Sequence, residues 1–120
     1  MQRHTLTITT NADGDATGRT AVVNGVVHAI VYVKSDYAAG VDFDVTGDVS
    51  GIVILSVDDA NASATYFPNA ISQDTAAATV TFDGTNEMYQ PIPVCDEPVK
   101  IVVDAGGDTK SGTFHVYVGS

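Results

Sequence analysis

Apolar and polar residues alternate through most of the chain, and this period of two predicts short β-strands. In Thr5–Thr10, Leu6 and Ile8 share one face while threonines occupy the other. The same period recurs in Val41–Thr46 and in Thr113–Val118. Each of these segments is predicted to bury its apolar face and to expose the other.

Two further segments are apolar on both faces. Val26–Lys34 is predicted to be a central strand, or to place its second face against another subunit. Gly51–Val57 is continuously apolar and is predicted to be fully buried. Asn24-Gly25 is the favoured signal for a two-residue hairpin, so it predicts a tight turn between Arg19–Val23 and Val26–Lys34.

The remaining segments complete a set of about eight short strands. Thr79–Asp83 is predicted to be a strand, and Met88–Cys95 is predicted to be an edge strand because its two prolines cannot donate hydrogen bonds to a neighbour. Val99–Asp104 and Thr113–Val118 are predicted to form a final hairpin. Asp58–Thr75 is the longest irregular stretch and is predicted to be a functional or mobile loop.

This pattern predicts an all-β fold. Short β-branched strands separated by Gly, Asn and Asp turns are typical of a single antiparallel β-sandwich, either jelly-roll or immunoglobulin-like. The chain has 120 residues, which is enough for one domain, so residues 1–120 are assigned to a single β-sandwich.

Charge narrows the range of partners. The net charge is −10, and residues 35–97 contain eleven of the fifteen acidic residues and no Lys or Arg. Such a surface repels phosphate backbones and anionic lipids, so neither nucleic acid nor a membrane is an expected partner. The sequence also shows no apolar run of membrane-spanning length, and its beginning is not that of a signal peptide.

One cysteine, Cys95, excludes an internal disulfide, and we expect a buried, inert thiol. A small domain without disulfides suits a protein that folds in a reducing cytoplasm.

No residue pattern indicates catalysis. The three histidines, His4, His28 and His115, all lie within predicted strands, and none adjoins a Gly-x-Ser-x-Gly turn. Asp42 and Asp44 are paired on one strand face, but no apolar pocket is predicted beside them, so we interpret them as solvated charges. The chain is predicted not to be an enzyme.

No cofactor is predicted, and Ca²⁺ is the one ligand left open. Asn11, Asp13 and Asp15 alternate as at the start of an EF-hand loop, but the later positions of that motif do not match. Asp58 and Asp59, with Asn61, form a second oxygen-rich group.

The long loop offers a possible contact site. Asp58 and Asp59 begin it, and Tyr66 and Phe67 form what is expected to be an exposed aromatic pair. These four residues would be the site if the chain were a carbohydrate-binding or Ca²⁺-dependent surface-binding module.

The chain resembles small all-β structural proteins of tailed bacteriophages. The resemblance rests on Arg3–Gly14, Asn24–Lys34, Val99–Val103 and Lys110–Val116, and it covers nearly the full length. It implies a virion structural protein, foremost a capsid decoration (cement) protein. Such proteins bind the outside of the major capsid shell, often as trimers, and strengthen it, so the resemblance implies a homo-oligomer, with a trimer favoured. The resemblance implies that the major capsid protein is the partner, and that the protein is made in the host cytoplasm and added to the capsid exterior.

Two alternatives remain open beside decoration: a head–tail junction or baseplate component, and the surface-binding module described above. For decoration, the near-neutral ends of the chain, with Arg3 and Arg19, are expected to dock while the acidic middle faces solvent. Val26 and Ile30, on the two-faced strand, are expected to meet a neighbouring subunit.

Overall fold

The structure is a computed structural model of residues 1–120, and it confirms the all-β class. The chain forms nine strands and no helix. In chain order the strands are β1 (Gln2–Thr9), β2 (Ala16–Lys34), β3 (Val41–Gly47), β4 (Val53–Ala60), β5 (Ala64–Tyr66), β6 (Ala70–Ile71), β7 (Tyr89–Gln90), β8 (Ile92–Asp104) and β9 (Ser111–Gly119).

One curled antiparallel sheet, in the order β1-β9-β2-β8-β3-β4, folds into two layers that enclose the core. We call β3, β4, β8 and residues 16–23 of β2 the acidic layer. The carboxylate-free layer consists of β1, β9, residues 26–34 of β2, and β5, which pairs with that part of β2. No Asp or Glu occurs in the strands of this second layer, whereas the acidic layer contains seven. The arrangement is sandwich-like.

Strand β2 belongs to both layers, which corrects the predicted turn at Asn24-Gly25. The strand runs without interruption from Ala16 to Lys34 and exchanges one partner for another near Val26, which lies opposite both β8 and β9. Gly25 has a φ of +134°, and a Cβ there would collide with the carbonyl oxygen of Gly119. The glycine therefore marks the crossing between layers rather than a hairpin.

A bulge in β2 changes which of its side chains face the core. The pairing with β9 shifts by one residue between Val27 and Ala29, so that Ile30 and Tyr32 lie on the same buried face as Val27. Strict alternation would have placed Val27 opposite Ile30 and Tyr32. The bulge leaves an apolar row on the outer face of this layer, formed by Ala29, Val31 and Val33.

Aromatic side chains form the centre of the core. Phe43 of β3 packs against Tyr32 and Phe114 of the opposite layer, with ring centroids 5.0 Å apart in each case. Tyr32 also stacks on Tyr37, whose hydroxyl donates a 2.6 Å hydrogen bond to the Ile8 carbonyl. Burial raises the pKa of Tyr37 far above its usual range.

Three predicted alternations are confirmed. Leu6 and Ile8 of β1 face the interior, as do the apolar positions of β3 and β9. In β9, Phe114, Val116 and Val118 are buried while the residues between them are partly exposed.

The continuously apolar Gly51–Val57 is not a buried strand, contrary to expectation. It contributes to β4, which ends the sheet and has β3 as its single neighbour. Ile54 is buried, but Ile52 and Val53 are exposed. An edge strand that is covered on one face needs only some of its apolar residues inside.

The predicted final hairpin is also wrong. Although β8 and β9 are consecutive, β9 pairs with β1 and β2 instead. The connection after β8 crosses between layers and binds the turn that precedes β2: Gly106 N–H donates to the Gly14 carbonyl, and Thr109 N–H to that of Asn11. Thr10, which is buried, anchors the same connection by donating to the Gly107 carbonyl at 2.6 Å.

The prediction that Met88–Cys95 is an edge strand is confirmed only in part. Pro93 lies in the first half of β8, which has β2 on one side and no strand on the other. The second half of β8 is central, between β2 and β3. Cys95, expected to be buried, is exposed, because Val94 takes the inward position beside it.

Candidate interaction surface

Side-chain pairs organise the outer face of the carboxylate-free layer. Thr5, Thr7 and Thr9 of β1 stand opposite β9 and bond to it across the strands. Thr5 Oγ1 lies 2.8 Å from Nδ1 of His115, and Thr9 Oγ1 lies 2.7 Å from Oγ of Ser111. These bonds stiffen the face and use its hydroxyl groups within the sheet.

A shallow apolar groove of about 500 Å³ crosses this face beside the threonines. It exists because the β2 bulge turns Ala29 and Val31 outward, where they meet Tyr117 of β9 and Phe67, which follows β5. The residues that line the groove are Met1, His28, Ala29, Val31, Thr65, Phe67 and Tyr117. None of them is acidic.

A second, smaller cleft of about 220 Å³ continues the groove, since both are lined by His28 and Phe67. Its far wall is formed by Tyr89, Gln90 and Pro91. The apolar surface therefore runs from the carboxylate-free layer to the segment between β6 and β8.

Residues 70–90, which include β6 and β7, form an arm that stands outside the core except at its base, where Ala70 packs against the core. Its strands β6 and β7 pair only with each other, and no residue within it is buried. Four large apolar side chains are exposed along it: Ile71, Phe82, Met88 and Tyr89. Phe82, near the end of the arm, is 68% exposed. The radius of gyration, 15.4 Å, exceeds the roughly 13.6 Å expected for a compact domain of this length.

Carboxylates hold the turns of the arm. Oδ1 of Asp74 accepts hydrogen bonds from the N–H groups of Ala76 and Ala78. Asp83 does the same for Thr85 and Asn86, and these donors lower its pKa. Because these bonds are local, they shape the turns without attaching the arm to the body.

The predicted docking residues Arg3 and Arg19 do not share a surface. Arg3 is exposed on the carboxylate-free layer. Arg19 lies on the outer face of the acidic layer, where its Nε is 3.0 Å from Oδ1 of Asp48. The two arginines point away from the core on opposite sides, so one flat partner cannot contact both.

The predicted subunit contacts Val26 and Ile30 have different positions. Ile30 is fully buried between Tyr66 and Val116, so it belongs to the core, and its assignment to an interface is corrected. Val26, half-buried, lies where β2 leaves one layer for the other. The outward residues of this strand after the bulge are the ones available to a neighbour.

The predicted loop site is divided by the structure. Tyr66 points inward and packs edge-on against Phe43, at 6.1 Å between ring centroids, so the expected exposed pair is wrong for this residue. Phe67 is 71% exposed and lines the groove. Asp58 and Asp59 are exposed at the end of β4, and the N–H of Asp59 donates to Asp42. The surface-binding role of these residues stays a prediction.

The Asn11–Asp15 segment forms a turn held by its own side chain. Oδ1 of Asn11 accepts hydrogen bonds from the N–H groups of Asp13 and Asp15. The neighbouring carboxyl group of Asp104 raises the pKa of Asp15. No group of three or more His, Cys, Asp or Glu side chains is arranged to hold a metal ion.

Glu97 is a structurally important carboxylate that the sequence analysis did not single out. It is 3% exposed, and its Oε1 accepts hydrogen bonds from the N–H groups of Ser50 and Val49 at 2.9 and 2.8 Å. The bond from Ser50 is the main cause of its lowered pKa. In the sequence Glu97 lies between the predicted edge strand Met88–Cys95 and Pro98, and nothing there indicates a partner loop forty-seven residues away.

The histidines all belong to the carboxylate-free layer. The Thr5–His115 contact joins a hydroxyl to an imidazole, but the strands of that layer contain no carboxylate to orient the ring as in a catalytic triad. Nε2 of His4 is buried without a hydrogen-bond partner.

The fold contains no helix that could span a membrane. Comparisons with protein-family models, with curated proteins and with solved structures give no match.

Proposed function

We propose that this chain is a non-enzymatic structural protein of a tailed-bacteriophage virion, specifically a decoration protein that binds the outside of the major capsid shell and stabilises it. The proposal combines the family resemblance of the sequence with surfaces suited to assembly.

The observation that carries the proposal is the pairing of an exposed arm with an uncharged face. The arm places four large apolar side chains outside the core, and the carboxylate-free layer adds a groove lined by Val31, Phe67 and Tyr117. Exposed apolar surface of this extent, bordered by polar residues, is typical of sites that meet another protein.

The distribution of charge supports an external position. The acidic layer, the arm and the loops carry all the carboxylates, and the net charge is −10. Such a protein is repelled by packaged DNA, so the outside of the shell is the favourable side.

The test is the copy number of the protein in purified virions, measured by quantitative mass spectrometry against the major capsid protein. Decoration requires a fixed ratio on the order of one copy per few capsid subunits. Particles that lack the protein should release their DNA at a lower temperature, and adding the purified protein back should restore the original value. Absence from the virion contradicts the proposal.

A head–tail junction or baseplate component is the alternative virion position. It would use the same exposed surfaces but in a single ring. A few copies to about a dozen per particle, concentrated at the neck or tail in labelled electron micrographs, would favour this alternative over decoration.

A further inference from the structure

Beyond its base, where Ala70 packs against the core, the arm pairs with no strand of the body and is largely exposed. Its strands bond only to each other, and Phe82 and Tyr89 are more than half exposed. A small isolated hairpin of this kind is marginally stable in water unless a hydrophobic face packs on something. With 21 residues, the arm has the size of one side of a standard protein interface, which typically involves about 20–30 residues.

The carboxylate-free layer supplies a surface of matching character. Its groove, of about 500 Å³, is mostly apolar and is lined by Ala29, Val31 and Tyr117 among others. The bulge in β2 turns Ala29 and Val31 outward, where each is only partly buried.

The charges of the arm and of this layer are complementary. The arm carries Asp74, Asp83 and Glu87 and no Lys or Arg. The strands of the carboxylate-free layer carry Arg3, Lys34 and three histidines, with no Asp or Glu. In a protein of net charge −10, this layer is the one strand surface on which a second acidic copy meets no carboxylate.

We propose that the arm of one copy docks on the outer face of the carboxylate-free layer of a second copy, with the Phe82 side chain in the apolar groove. The inference goes beyond the proposed function and beyond the expected homo-oligomer, because it names the two surfaces that meet.

Arm and groove are different patches, so each contact is head-to-tail. Two copies that exchange arms give a dimer, and successive docking around an axis gives a closed ring. In both cases every arm and every groove is occupied.

The first test compares the association of purified chains by sedimentation equilibrium. Phe82→Ser should weaken self-association by about tenfold or more, because an aromatic side chain in a pocket dominates such contacts. Val53→Ser is the matched control: Val53 is 60% exposed, apolar and on the acidic layer. It should leave association unchanged. A monomeric parent protein, or equal effects of the two substitutions, would overturn the proposal.

The second test identifies the surfaces in contact. In a Cys95→Ser background, which removes the single exposed thiol, one chain carries Thr85→Cys, which keeps Phe82 in place, and another carries Val31→Cys. A short thiol–thiol crosslinker should join these two chains to each other. Replacing Val31→Cys by Val53→Cys should abolish the product, and equal crosslinking to Val53→Cys would contradict arm-to-groove docking.

The shell itself is the competing occupant of these surfaces. If the parent chain is monomeric while Phe82→Ser loses binding to capsids, the arm docks on the shell and the inference about a second copy is wrong. That result would leave the proposed function standing. If the chain self-associates but is absent from virions, the inference about a second copy stands and the proposed function is wrong.

Discussion

The sandwich body and the arm are built from one chain by opposite means. The body encloses Tyr32, Phe43 and Phe114 in direct contact, and each of these is almost fully buried. The arm has no buried residue and is shaped by turns that Asp74 and Asp83 hold locally. Folding free energy is therefore concentrated in the body, while the arm contributes exposed surface.

This difference indicates a division of labour. A segment that contributes only Ala70 to the packing of the core is free to carry large apolar residues outward, where they meet other molecules. The body, in turn, has an apolar outer face on the second half of β2, and burying that face requires contact with another molecule. Substitutions in the two regions should therefore separate stability from association.

The largest expected effect is on the body. Phe43→Ala removes the ring that joins the two layers and should lower the free energy of unfolding by about 3–5 kcal/mol. Urea denaturation followed by circular dichroism measures this change. A loss below about 1 kcal/mol would contradict the central position of Phe43 in the core.

The crossing of β2 between the layers should be the next most sensitive point. Gly25→Ala places a Cβ against the Gly119 carbonyl at a φ of +134°, so it should destabilise the body by more than about 1 kcal/mol. Gly84→Ala is the control, because Gly84 also has a positive φ but no atom near its Cβ position. Thermal unfolding should show a larger loss for Gly25→Ala than for the control.

Glu97 should make the stability of the body depend on pH. Its pKa is lowered by the bonds from Ser50 and Val49, so the folded chain binds fewer protons there than the unfolded chain. Its contribution is present above the unfolded value of 4.5 and is lost as pH falls through the lowered folded value. Glu97→Gln should flatten this part of the profile of melting temperature against pH, and an unchanged profile would contradict the role of Glu97.

The smallest effect on stability is expected in the arm. Phe82→Ser, which should weaken association, should change the unfolding free energy of the monomer by less than about 0.5 kcal/mol, because the side chain touches no core. Dilute samples, below the association range, allow the measurement. A larger loss would show that the arm packs on its own body.

The sequence predicted strands well where local alternation decides the burial. Leu6, Phe43 and Phe114 were assigned to the interior from their neighbours alone, and they lie there. The predictions failed where a distant partner decides. Gly25 was predicted to lie in a turn because the sequence does not show its close approach to Gly119. Val53 was predicted to be buried because the sequence does not show that β4 lies at the edge of the sheet.

The candidate surface was also predicted only in part. Val26–Lys34 was correctly identified as apolar on both faces, with one face suggested for a neighbour. Ile30 was nevertheless placed on the wrong side, because a bulge of one residue reverses every later position of a strand. The arm was not predicted, because its Asp and Asn residues are those of any turn. The absence of carboxylates from one layer becomes visible only once the topology brings β1, β9, β5 and part of β2 together.

The continuity of β2 has a mechanical consequence. Since one peptide backbone runs through both layers, a pull on one of them is transmitted along covalent bonds to the other and does not depend on side-chain packing alone. Separating the layers therefore requires this strand to lose its hydrogen bonds to β8 or to β9. A shearing force applied between the two layers is therefore opposed by the backbone of β2 as well as by the packing of the core.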